Sequence, residues 1–210
     1  MYNPPHFQEE RPEALERVLH DFPLGALVYT TADGLDAEHL PFMYQKEEAS
    51  KGKLIAHVAR KNPIWQRLPD GSGVLTIFRG SDSYISPNWY PSKHETHRQV
   101  PTWNYQVVHV HGKIHFTDDP KFLRAAVGML TRLHETRAAE PRPWTMGDAA
   151  VDFIEAQIAS IVGLEIEITR VAGKSKLSQN REPRDKAGAI AELRRRRQTT
   201  MADAMEQTRQ

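Results

Sequence analysis

From Trp103 to Phe116 the residues alternate, with Val108, Val110, Ile114 and Phe116 on one side and His109, His111, Lys113 and His115 on the other. A period of two puts successive side chains on opposite faces of a strand, so a long strand with one core face and one polar face is expected here. Shorter runs read the same way: Leu24 to Thr31, His39 to Tyr44, Lys53 to Ala59, Val74 to Phe78 and Gly163 to Val171. Ala32-Asp33-Gly34 supplies a hairpin turn between the first two. Helical spacing appears over Arg11 to Phe22, after Asn62-Pro63, from Asp118-Asp119-Pro120 to about Thr136, and from Gly147 to Ala159. Strands at hairpin spacing, with helices inserted late, lack the alternating rhythm of a doubly wound sheet. They predict an antiparallel barrel with attached helices.

Between two of these strands lies Tyr84 to Tyr105, YISPNWYPSKHETHRQVPTWNY, dense in aromatic, basic and hydroxyl side chains. Pro87, Pro91 and Pro101 each fix a backbone angle, which favours one shape for a long connection. Trp89, Tyr90, Trp103 and Tyr105 either hold a ligand or seal a barrel end. Upstream, HVARKNP sets Arg60 and Lys61 at a strand end just before a helix start, where free N–H groups and the helix dipole favour an anion.

Cysteine is absent, which removes disulfides, thiolate nucleophiles and cysteine-based metal centres. There is no G-x-S-x-G, no Walker A sequence and no G-x-G-x-x-G. A nucleotide would therefore be held by strands and loops, and redox chemistry would come from a bound cofactor. The row His109, His111, His115 has Lys113 within it and no carboxylate beside it on the strand, so no metal site is expected.

No apolar run approaches the roughly 20 residues of a membrane helix, and the N-terminal MYNPPHFQEERPE lacks the pattern of a secretory signal. A cytoplasmic location is the expectation. The net charge of +1 hides a basic end: Lys174 to Arg197 holds nine Lys or Arg against three acids. From Lys186 onward Ile190, Leu193, Met201 and Met205 form a thin apolar stripe on a charged helix, expected to project or to pack on a partner. Its Arg194 to Arg197 cluster could touch DNA phosphates, without any helix-turn-helix or zinc-finger pattern to read bases.

Six blocks occur in order: MYNPPHF at the start, HLPF at His39, HVARKNP at His57, YISPNWYPSK at Tyr84, VPTWNY at Val100 and KLSQNR at Lys176. Together they resemble the PaiB-type family, the FMN-binding negative transcriptional regulators related to pyridoxamine-phosphate-oxidase-like flavoproteins. The resemblance implies a six-stranded antiparallel split β-barrel with peripheral helices over residues 1–182; beyond it, composition and charge predict a basic C-terminal helical extension over 183–210. It implies a homodimer with FMN in a cleft at the dimer interface. On that footing Arg60, Lys93 and Arg181 would meet the flavin phosphate, and Trp103 and Tyr105 would wall the ring. His57, Asn104 and Gln179 would bond the ring edge or ribityl chain, with Asn62 and Lys176 completing the set. A flavin-dependent oxidoreductase and a haem-binding or other ligand-binding barrel remain alternatives, since this fold hosts several chemistries.

Overall fold

The computed structural model describes residues 1–48 and 50–208. The last two residues of the expected extension, Arg209 and Gln210, lie outside the described residues. The described residues form eight strands and seven helices: β1 (Gln8–Glu9), α1 (Pro12–Asp21), β2 (Leu24–Thr31), β3 (Gly34–Pro41), β4 (Met43–Gln45), β5 (Lys53–Ala59), α2 (Ile64–Arg67), β6 (Ser72–Ile85), α3 (Pro91–Thr96), β7 (Thr102–Thr117), α4 (Pro120–Ala138), α5 (Val151–Ala159), β8 (Ile161–Lys176), α6 (Pro183–Arg195) and α7 (Thr199–Glu206). The strand order is β3-β2-β6-β7-β8-β5-β4, with β1 on β8. Two compact units share the chain. One takes Met1–Phe22, Ile77–His109 and the chain from Ala172 on; the other takes Pro23–Thr76 and Val110–Val171.

In the second of these, β2 and β3 pair antiparallel from Leu24↔Pro41 to Thr31↔Gly34. The two residues Ala32 and Asp33 close the hairpin, and Gly34 follows at φ 114°, a conformation that favours glycine. The ladder therefore starts at once, five residues before the expected His39. It breaks at Phe42, which is buried and gives its N–H to the Pro23 carbonyl at 2.9 Å. The chain then resumes as β4 against β5, Met43 facing Ile55. This break, together with the short β1, gives eight strands where six were expected.

β5 pairs antiparallel with β8 from Lys53↔Glu167 to Ala59↔Ile161. Near its end Asn62 Oδ1 accepts the N–H of Ile64, the first residue of α2, at 3.0 Å, and Pro63, not Asn62, stands at the N-cap, just before the helix and not within it. At α4 the Asp119 carboxylate accepts from Lys121 and Phe122, as the sequence implied. Leu123, Ile154 and Ile158 bury the contact between α4 and α5. A side chain at Gly163 on β8 would stand 2.7 Å from the Phe122 ring, so this close approach requires glycine.

In the other unit β6 runs to Ile85 and β8 to Lys176, both beyond their apolar segments. The extension of β6 alternates on either side of a one-residue slip at Ser81: Phe78 and Gly80 are buried around exposed Arg79, and Ser83 and Ile85 are buried around exposed Tyr84. Small and polar inward residues hid the period. The aromatic connection folds into a short 3-10 turn (Pro87–Trp89), capped by Ser86 Oγ on Asn88 N–H, and into α3.

The C-terminal stretch does not project. It folds back as the α6–α7 pair, and Ala189, Leu193, Met201, Ala202 and Met205 enter one core with Ile85, Tyr90 and Leu177. Of the expected stripe Leu193, Met201 and Met205 are buried here and Ile190 packs against them partly buried, so a stripe thin on one helix suffices when two helices close on a common centre. The arginines are also engaged: Arg194 pairs with Asp203 and Glu206, Arg195 with Glu192, and Arg196 lies 5.1 Å from the Trp89 ring centre.

Candidate functional site

β7 carries three expected site residues in succession, and strand alternation divides them. Trp103 is 54% exposed, whereas Asn104 is fully buried and donates through Nδ2 to Ser178 Oγ at 2.9 Å. Asn104 therefore ties β7 to the turn after β8. Tyr84 meets Trp103 edge-on, with centroids 6.1 Å apart at 74°. A cavity of about 340 Å³, lined by Ile77, Trp103, Tyr105, Gln106 and Val107 with Arg79 and Asp82, opens on this face. That volume lies at the lower end of the roughly 300–1,000 Å³ of small-molecule sites.

Beside this face the end of β8 gathers cations. Lys174 Nζ lies 5.5 Å from the Tyr105 ring centre and donates to the Tyr2 carbonyl at 3.1 Å. The amine of Lys176 donates to Thr102 Oγ1. Burial first, then repulsion from Lys174 and Arg181, holds the Lys176 ammonium below its ordinary pKa. Arg181 donates from Nη1 to Gln99 Oε1 at 2.6 Å and stands 5.2 Å from the Tyr90 ring centre. Its charge opposes the rise that burial imposes on the Tyr90 hydroxyl's pKa. Among the described residues, none of these three cations has a carboxylate within ion-pair distance, so their partners are neutral oxygens and ring faces.

Two further expected residues of this unit behave differently. Gln179 spends its amide on its own turn, accepting from Leu177 N–H at 2.7 Å and donating to the Ser175 carbonyl at 2.5 Å. Lys93 sits half-buried on α3. The structure also brings in residues that the sequence reading had not assigned to a site, namely Lys174, Tyr84 and Gln99. Lys174 falls outside the apolar run that announces β8, so the sequence places it only in the basic end, and the extension of the strand to Lys176 is what sets it two positions from Lys176.

The remaining three, His57, Arg60 and Asn62, belong to the other unit. His57 is half-buried on β5; its Nδ1 is buried and without a hydrogen-bond partner among the described residues, and burial lowers its pKa. Arg60 donates from Nε to the Ala159 carbonyl at 2.8 Å and from Nη2 to that of Ile161 at 3.0 Å, leaving Nη1 3.8 Å from Asp118. Asn62, besides accepting the Ile64 N–H, donates to Glu38 Oε1 at 2.8 Å. Arg60 and Asn62 are thus committed to holding their own unit together. In the histidine row, His111 Nε2 accepts from Arg170 at 2.7 Å and His115 Nδ1 meets Asp70 at 2.9 Å. No grouping of three His, Asp or Glu suited to a metal ion occurs among the described residues.

The family model described as "Putative FMN-binding domain" matches residues 1–170. The chain belongs to this family. Within the wider PaiB-type group it is 30% identical over 193 residues to the "Protease synthase and sporulation protein PAI 2" of Bacillus subtilis, covering 92% of this chain and 89% of that one. Among solved structures, a conserved hypothetical protein of Mycobacterium tuberculosis, Rv2991, superposes with a TM-score of 0.57 at 11% identity, over 87% of this chain and 94% of that one. The FAD and heme binding protein of Mycobacterium smegmatis does so with a TM-score of 0.55 at 17% identity, over 80% and 73%. At those identities the likeness fixes the fold alone, and the fold is the mainly antiparallel split-barrel class that the family resemblance implied. The match to the FMN-binding-domain model stops at residue 170, before α6 and α7.

Proposed function

We propose that this protein is a dimeric FMN-binding member of the PaiB-type family that acts in negative control of transcription, and that its flavin phosphate lies among Lys174, Lys176 and Arg181. The observation that carries the reading is this group of three cations, without carboxylate partners among the described residues, next to half-buried Tyr105 and exposed Trp103. Like charges brought together without acids raise the energy of the folded chain, and a phosphate dianion relieves that cost through charge-assisted hydrogen bonds. Lys176 keeps donors to spare, since an ammonium has three and Thr102 takes one. The Trp103 indole offers a flat apolar surface of the kind an isoalloxazine ring stacks on. Bound FMN would supply electron or hydride transfer, while the residues named here bind and orient it.

The family's description and the flavin-binding protein of the same fold support the flavin. The dimer and the regulatory role rest on the resemblance to the PaiB-type proteins. Titration of the purified chain with FMN and riboflavin, followed by flavin absorbance and fluorescence, tests the site. FMN is expected to bind tighter by a factor of roughly ten or more, the worth of one or two charge-assisted bonds of about 1.5–3 kcal/mol each. Equal affinity would remove the cation group from phosphate binding, and no binding of either flavin would overturn the proposal.

A further inference from the structure

Arg181 is held in a particular way. Its Nη1 donates to Gln99 Oε1 at 2.6 Å, and the other end of that amide, Nε2, donates to Ser92 Oγ at 2.8 Å and points toward Asp185 Oδ2 at 3.4 Å. Asp185, only 1% exposed, in turn accepts the Ser92 N–H at 3.0 Å and hydroxyl at 2.6 Å. These partners leave the amide one orientation. A guanidinium only donates, so the carbonyl oxygen must face Arg181. The buried carboxylate only accepts, so the NH₂ must face Asp185.

We infer that Gln99 is a positioning residue that fixes Arg181 without neutralising it, and that Ser92 of α3 and Asp185 of α6 anchor this relay and so set the preference for a phosphorylated ligand. The inference rests on the phosphate reading given above. Its physical core is the choice of a neutral acceptor. A glutamate at position 99 would hold Arg181 equally well in space, but it would pair with the cation and cancel the charge meant for the ligand. It would also face the buried Asp185 carboxylate, a like-charge contact. The Tyr90 ring under Arg181 follows the same logic, since a π-face steadies a cation and leaves its charge intact.

The test compares the ratio of riboflavin to FMN dissociation constants in the wild-type chain, Gln99→Glu, Gln99→Met, Arg181→Ala and the Gln99→Glu/Arg181→Ala pair, with flavin-free thermal melts alongside. Arg181→Ala is expected to lower the ratio roughly ten- to a hundredfold, the worth of a charged hydrogen bond. Gln99→Glu should lower it by a comparable factor, Gln99→Met by several-fold, and the double variant by no more than Arg181→Ala alone; riboflavin affinity should stay constant throughout. If Gln99→Glu does not fold, Gln99→Met carries the comparison, since it keeps the volume and removes the acceptor. An unchanged ratio in the folded Gln99 variants, with Arg181→Ala still lowering it, would overturn the inference and leave the phosphate site standing. A wild-type ratio near one would overturn the phosphate site itself, and the relay with it.

Discussion

Single side chains here divide into those that spend their polarity on the fold and those that keep it available. Arg60 is of the first kind, because its Nε and Nη2 go to the carbonyls of Ala159 and Ile161. Arg60→Ala should therefore cost about 2 kcal/mol of stability in a denaturant titration, the scale for leaving such acceptors unmet, with the FMN-to-riboflavin preference unchanged. A lost preference at full stability would instead return Arg60 to the phosphate. His57 differs again, since burial holds its pKa below the ordinary 6.5 and so keeps the folded form neutral. The unfolded chain then takes up the proton first as pH falls, so this contribution to stability is complete above about 6.5 and is lost as pH drops toward the folded value. A melting temperature measured from pH 7.5 to 5 should fall less steeply in His57→Gln than in the wild type, and parallel curves would show that other groups govern the acid limb.

At the scale of elements, the α6–α7 pair is the clearest case of a segment whose role changed once it was placed. Leu193 is fully buried against Ile85, Tyr90 and Leu177, so Leu193→Ala should cost roughly 2–5 kcal/mol, the range for emptying a core leucine site. Removal of the chain after Glu182 would expose that core and free Ser92 and Gln99 from Asp185. Circular dichroism of the truncated protein should show a broad or absent melting transition, whereas an unchanged sharp one would mark the pair as a dispensable appendage. The long strands make the opposite point. β6 was legible only from Val74 to Phe78, where Val, Leu, Ile and Phe announce it. In its last seven residues the buried positions, Gly80, Ser83 and Ile85, shift phase by one residue, and glycine and serine take two of them, a pattern that hydrophobicity does not report.

For the molecule as a whole, the homodimer is a proposal that sedimentation velocity decides. A species of twice 24.0 kDa at micromolar concentration is expected, and a monomer would remove the interfacial flavin arrangement. The strands β2 and β5, the helices α1 and α4 and the antiparallel class were all determined by the sequence itself. Each is encoded by local periodicity and by caps such as Asp119, and these act within a few residues of one another. The ordered motif blocks likewise determined the family. The tertiary structure decided which polar groups remain available to a ligand, because that depends on partners far away in the chain. Arg60 is claimed by residues about a hundred positions later, Asn104 by Ser178, and Asp185 by Ser92. Hydrogen-bond demand is met in space and not along the sequence, so the motif that named ten residues could not say which of them the fold would use for itself.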